Sequence, residues 1–222
     1  MGVLADPALQ ALVDRLHAQS TAQEPETSAW FSERAKRGEL SWDGLDETSH
    51  RYMADKLVAL EPPKAEFCHL LCRAVGARRV VEVGTSFGVS TLYLAAAVRE
   101  IRGGVVIGTE HQPTKAAAAR ANFARAGFTD LIDLREGDLR ETLKVIEGPV
   151  DFVLMDIWTE MARPAIELIA PHLHSGSVVV VDNTTRVRHS YARFFEFVDD
   201  AANGLRTMTL PFDGGLEMMV RA

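Results

Sequence analysis

Several things are scarce in this 222-residue chain, and each scarcity excludes something. Cysteine appears twice, as Cys68 and Cys72, four apart in a helical pattern; His69 between them faces elsewhere, so a metal site there lacks partners. Two buried, reduced thiols are the expectation. No stretch approaches the roughly 20 apolar residues of a membrane span, so no membrane partner is expected. The N-terminus lacks a basic segment followed by an apolar one, which makes the cytoplasm the default location. Positive charge is short as well: 24 Lys+Arg stand against 31 Asp+Glu, a net charge of −7 that argues against nucleic acid as a partner. Internal repeats and low-complexity tracts are absent. The dinucleotide fingerprint G-x-G-x-x-G is missing too.

What is present alternates. Residues 1–62 read as a helical extension, opened by the cap pair Asp6-Pro7 with Leu9, Leu12, Val13 and Leu16 at helical spacing. A polar stretch over 19–45 carries Trp30, Phe31 and Trp42, for which packing is preferred over a ligand cover or a subunit contact. A second helix is predicted from Glu47 to Leu60. From Pro63 to 222, strands and helices alternate as in a doubly wound α/β sheet. Strands are expected near 79–84, 104–110, 131–135, 150–156, 177–182, 204–210 and 215–220. Helices are expected over 64–76, 88–102, 113–127, 139–147, 160–173 and 187–202. Only Pro211-Phe-Asp-Gly214 separates the last two strands, so they form a hairpin and the final strand is antiparallel.

The chemistry gathers at strand ends. The segment from Arg79 to Tyr93 turns from strand to helix through Glu82-x-Gly84-x-x-x-Gly88, a spacing suited to a ligand without a pyrophosphate. The second strand ends in Glu110, which either caps the next helix or stands solvated or, as preferred beside the glycine loop, accepts from both hydroxyls of a ribose. Asp138, after the third strand, is placed either to contact an adenine edge or to cap a helix. The apolar runs 150–155 and 177–181 end in Asp156 and Asp182-Asn183. Adjacent parallel strands lie about 5 Å apart, so these would bring three oxygen ligands to one sheet edge, with room for a divalent cation.

These pieces resemble the class I S-adenosylmethionine-dependent O-methyltransferases, in particular the cation-dependent catechol and caffeoyl-CoA group. The resemblance covers roughly residues 58–222. It rests on Glu-Val-Gly-Thr-Ser-Phe-Gly (82–88), Thr-Glu-His-Gln-Pro (109–113), Glu-Gly-Asp (136–138), Met-Asp-Ile-Trp (155–158), Val-Val-Asp-Asn (180–183) and Asp-Gly-Gly-Leu-Glu (213–217). It implies strand order 3-2-1-4-5-7-6 with the cofactor at the switch point. It implies a cofactor-binding set of Glu82, Gly84, Ser86, Gly88, Ser90, Glu110, Asp138 and Trp158. Asp156, Asp182 and Asn183 would ligate Mg²⁺ or a similar ion, Asp156 being catalytic. A small-molecule hydroxyl acceptor and a homodimer follow from the same likeness. Two departures stand out. Thr159 occupies the place of a lysine base, and Thr207-Met-Thr-Leu210 has no carboxylate where the catechol enzymes carry one. Glu160, His50 and His189 are the candidate replacement bases. A nicotinamide-dependent dehydrogenase and a non-catalytic module of the same fold are the alternatives.

Overall fold

The computed structural model describes residues 2–40 and 46–222, so Trp42 lies outside the described residues. Seven strands form one sheet: β1 (Arg79–Val83), β2 (Val105–Glu110), β3 (Ile132–Glu136), β4 (Val150–Met155), β5 (Leu173–Asp182), β6 (Leu205–Leu210) and β7 (Leu216–Arg221). Their order is β3-β2-β1-β4-β5-β7-β6. The first five run parallel, and β7 is antiparallel to both β5 and β6. The expected fold is therefore the observed one.

The strands are continuous apolar runs because both faces of the sheet are covered. Val80, Val106, Phe152, Val178 and Val180 face a cluster built from α1 (Pro7–Lys36), α3 (Pro62–Ala74), α4 (Val89–Glu100) and α5 (Pro113–Ala126). Their sequence neighbours Val81, Ile107, Val153, Val179 and Val181 face α6 (Leu139–Thr142), α7 (Thr159–Ile169) and α8 (Ala192–Val198). Cys68 and Cys72 are free thiols buried on the first face, as expected. Burial pushes both thiols up, which keeps them protonated.

Helix boundaries depart from expectation where side chains intercept backbone groups. The helix capped by Asp6 continues through much of the polar stretch, to Lys36. Leu9, Leu12, Val13 and Leu16 enter the core, whereas most of the C-terminal half is exposed or half-buried. Trp30 stacks on Tyr52 of α2 (Glu47–Met53) at 4.1 Å between ring centroids, which is a packing role. The second helix ends at Met53 rather than Leu60. Beyond it, the Leu57 amide donates to Gln23 Oε1 (2.8 Å) and the Ala59 amide to Ser20 Oγ (3.1 Å), both on α1. The helix expected over 139–147 is a single turn, because the Arg135 guanidinium takes the carbonyls of Thr142 and Val145. The helix expected over 187–202 is reduced to α8, preceded by a 3₁₀ turn in which the Tyr191 hydroxyl donates to the Asp182 carbonyl (3.1 Å).

Candidate active site

The C-terminal ends of β1, β2, β4 and β5 form one edge, and almost every residue singled out in the sequence stands there. Gly84 has φ +94°, and a Cβ at that position would overlap the Asp156 carbonyl. Glycine is thus required by the approach of the β1 turn to the β4 end, independently of any ligand. Gly88 begins α4, where a Cβ would overlap the Phe123 ring.

Glu82 is fully buried, at 0% exposure. Its Oε2 accepts from Thr85 Oγ1 (2.9 Å) and Thr91 Oγ1 (2.5 Å), tying the two ends of the turn together. Burial raises its pKa, and these hydroxyls, with Ser90, only partly offset that. Its Oε1 and the buried Ser86 Oγ have no hydrogen-bond partner among the described residues. Ser86 itself sits at φ +50°, which aims its amide at Glu110 Oε2 (2.8 Å). Glu110 Oε1 accepts from the Gln112 amide (2.7 Å). The Glu110 carboxylate is therefore fixed by two backbone amides, with lone pairs left over.

Asp138 takes the capping alternative. Its Oδ1 accepts from the Arg140 amide (2.9 Å), and its carboxylate pairs with the Arg140 guanidinium at 2.5 Å. The side-chain and backbone bonds to Arg140 pull its carboxyl down to about 2. Trp158 is half-buried and stands at the N-cap of α7, two residues after Asp156.

Asp156 and Asp182 come together with a residue the sequence reading missed. Lys64, 1% exposed, places Nζ 2.6 Å from Asp182 Oδ1 and 2.5 Å from Glu61 Oε2. Burial lowers the pKa of the ammonium; the hydrogen bonds to Asp182 and Glu61 outweigh it and hold it above the ordinary lysine value. Asp182, 4% exposed, is raised by burial against the pull of Lys64. Asp156 is pushed up to about 8 by burial and by the charges of Asp182 and Glu82, with Lys64 opposing. A signal for Lys64 was available. A cation in the first turn of a helix opposes the macrodipole, so a lysine after Pro62-Pro63 calls for a carboxylate partner.

Asp182 and Asn183 do not turn their oxygens to a common point. Asp182 Oδ1 is engaged by Lys64, and its Oδ2 accepts from Asn183 Nδ2 (2.8 Å). Asn183, at φ +58°, turns its unpartnered Oδ1 toward Gly214, where a Cβ would lie 2.5 Å away. Arranged this way, Asn183 brings its amide nitrogen rather than its oxygen to Asp182, which does not fit a divalent ion shared by the two.

On the acceptor side, His50 Nε2 and Glu160 Oε1 lie 4.0 Å apart, whereas His189 is exposed in the turn before α8. Arg186 pairs with Asp213 (2.7 Å), and Arg188 stacks on Phe195 at 3.7 Å. The stretch Thr207–Leu210 does meet a carboxylate, supplied by the neighbouring strand. Buried Glu217 on β7 accepts from Thr207 Oγ1 and from Thr209 Oγ1 (2.6 Å).

Residues 81–184 match a family model described as a methyltransferase domain. The catechol O-methyltransferase of Mycobacterium tuberculosis is 36% identical over 130 residues, covering 58% of this chain and 58% of the relative. That of Niastella koreensis is 31% identical over 137 residues, covering 58% and 59%. The chain thus spans about three fifths of the length of these curated relatives. The O-methyltransferase from Bacillus cereus, solved in complex with SAH, superposes with a TM-score of 0.69 at 26% identity, covering 74% of this chain and 83% of its own. Sheet order, motif order and these relatives agree in likening the chain to the class I S-adenosylmethionine-dependent O-methyltransferases of the catechol and caffeoyl-CoA type.

Proposed function

We propose that this protein moves a methyl group from S-adenosylmethionine to a hydroxyl of a small molecule. The observation that carries the reading is the Glu110 carboxylate, locked by the Ser86 and Gln112 amides beside a turn that packs on Asp156. Such a carboxylate meets two vicinal hydroxyls without reorganising, which is the contact a ribose needs. Two unpartnered buried atoms, Glu82 Oε1 and Ser86 Oγ, sit on the same turn and fit a polar ligand there. Gly84, Gly88 and Ser90 complete that wall, Trp158 covers the adenine side, and Asp138 bounds it.

When bound, S-adenosylmethionine supplies a methyl group already activated on a sulfonium. The chain's own task is to orient the acceptor and take its proton. Asp156 sets a carboxyl at the β4 end, where it orients an acceptor hydroxyl. His50, whose Nε2 faces Glu160, receives the hydroxyl proton at Nδ1, in place of the lysine that Thr159 replaces. No step is assigned to a metal, because Asp182 holds the Lys64 ammonium and Asn183 turns its oxygen to Gly214. We also take residues 1–62 as an extension of a methyltransferase domain over 63–222, and a homodimer as its assembly.

The test is transfer from labelled S-adenosylmethionine to a panel of phenols and vicinal diols. Label on an acceptor oxygen, lowered by His50→Gln, supports the assignment. Tight cofactor binding with no transfer to any hydroxyl would leave a binding module instead.

A further inference from the structure

The site where family resemblance leads one to expect a divalent ion already contains a cation that belongs to the chain. Lys64 lies in the first turn of α3, on the face covered by α1 and α4, and its ammonium reaches the end of β5 from below the sheet edge. At 1% exposure it is among the largest fully buried side chains. Such a lysine is held only by charged partners. It has two: Asp182 Oδ1 at 2.6 Å and Glu61 Oε2 at 2.5 Å. The remaining oxygen of Asp182 is taken by the Asn183 amide, and the Asn183 oxygen points to the hairpin tip at Gly214. Among the described residues no group of three or more His, Cys, Asp or Glu is arranged to hold a metal ion.

We propose that Lys64 is the resident cation of this edge, and that a divalent ion binds Asp182 only by displacing its ammonium. A hard cation would need Asp182 free of a competing positive charge and the Asn183 oxygen turned inward. The ammonium at Asp182 Oδ1 denies the first, and the Asn183–Asp182 bond, which presents the amide nitrogen instead, denies the second. Two positive charges at hydrogen-bonding range inside a buried site repel strongly, so lysine and metal are alternatives rather than companions. The consequence for catalysis rests on the function proposed above: the positive charge beside the acceptor is built in, and turnover persists when free metal is removed.

The test separates the two questions by using metal binding without turnover. Mn²⁺ alone is titrated into the full chain and free Mn²⁺ is followed by electron paramagnetic resonance. The wild type is expected to show no binding tighter than about millimolar, and Lys64→Met or Lys64→Gln to bind at least about tenfold tighter, a change of about 1.4 kcal/mol. Lys64→Arg should stay at the wild-type level. Circular dichroism establishes that each variant is folded. Wild-type binding well below millimolar that is lost in Asp182→Asn would overturn the proposal, whether or not the Lys64 variants fold. Folded Lys64→Met or Lys64→Gln with binding no tighter than wild type would overturn it as well. If neither neutral variant folds, weak wild-type binding unaffected by Asp182→Asn supports it. Methyl transfer in excess EDTA is then a separate reading. Its absence with and without EDTA counts against the proposed function and leaves the metal titration intact.

Discussion

The two halves of the sheet edge neutralise their carboxylates in opposite ways. At the ends of β1 and β2, Glu82 and Glu110 are met by hydroxyls and backbone amides, and no Lys or Arg lies within ion-pair distance of either among the described residues. At the ends of β4 and β5, Asp182 leans on a buried ammonium, while Asp156 is left with the charges of its neighbours. Amides and hydroxyls fix a carboxylate while leaving its charge available to a ligand. A salt-bridged carboxylate has already spent much of its charge on its partner. The first half is therefore built to receive polar groups, and the second to hold a preset charge balance.

Breaking the cation-held half should cost most. Lys64→Met leaves Asp182 buried without its charged partner, at about 3–5 kcal/mol of stability. Urea unfolding would measure it, and adding Asp182→Asn to the same chain should recover much of the loss. Glu110→Gln in the amide-held half should cost less stability but weaken S-adenosylhomocysteine by about 10–100-fold, the value of a charge-assisted hydrogen bond of about 1.5–3 kcal/mol. Unchanged affinity would remove Glu110 from the ligand contact.

A pH titration of stability sharpens the contrast. Asp156 is raised to about 8 when folded, so the folded chain keeps a proton that the unfolded one loses near its ordinary pKa of 3.8. Stability from this group is full below about 4 and declines as pH rises toward 8. Asp156→Asn should flatten that decline, moving the melting temperature at pH 8 up by a few degrees relative to wild type. Asp138 works with the opposite sign and least weight. Its carboxyl is lowered to about 2, so its contribution is present above pH 3.8 and fades as pH falls toward 2. Asp138→Ala should cost about 0.5–1 kcal/mol at neutral pH, largely as a lost helix cap and discounted for its solvent screening.

The strands were legible because burial on both faces writes them as unbroken Val, Ile and Leu runs, and their ends carried the acids. Glu110 and Asp156 could be placed on one edge for that reason alone. Helix ends were less legible, since Gln23, Ser20 and Arg135 decide them through contacts distant in sequence. Lys64 was hidden for the same reason: its partner Asp182 lies 118 residues away. Gly84 and Gly88 were read as ligand contacts, yet each is already required by packing against Asp156 and Phe123. Glu217 belongs to the motif over 213–217, but its partners Thr207 and Thr209 were not legible there, because it serves them from the next strand rather than from their own.

The central claim is that the amide-fixed carboxylate at the β2 end recognises the ribose of a sulfonium nucleoside. Isothermal titration of the folded chain with S-adenosylhomocysteine and, separately, with NAD⁺ tests it most directly. The account predicts saturable one-to-one binding of S-adenosylhomocysteine, weakened by Glu110→Gln, and no measurable binding of NAD⁺. Binding of NAD⁺ with none of S-adenosylhomocysteine would contradict it.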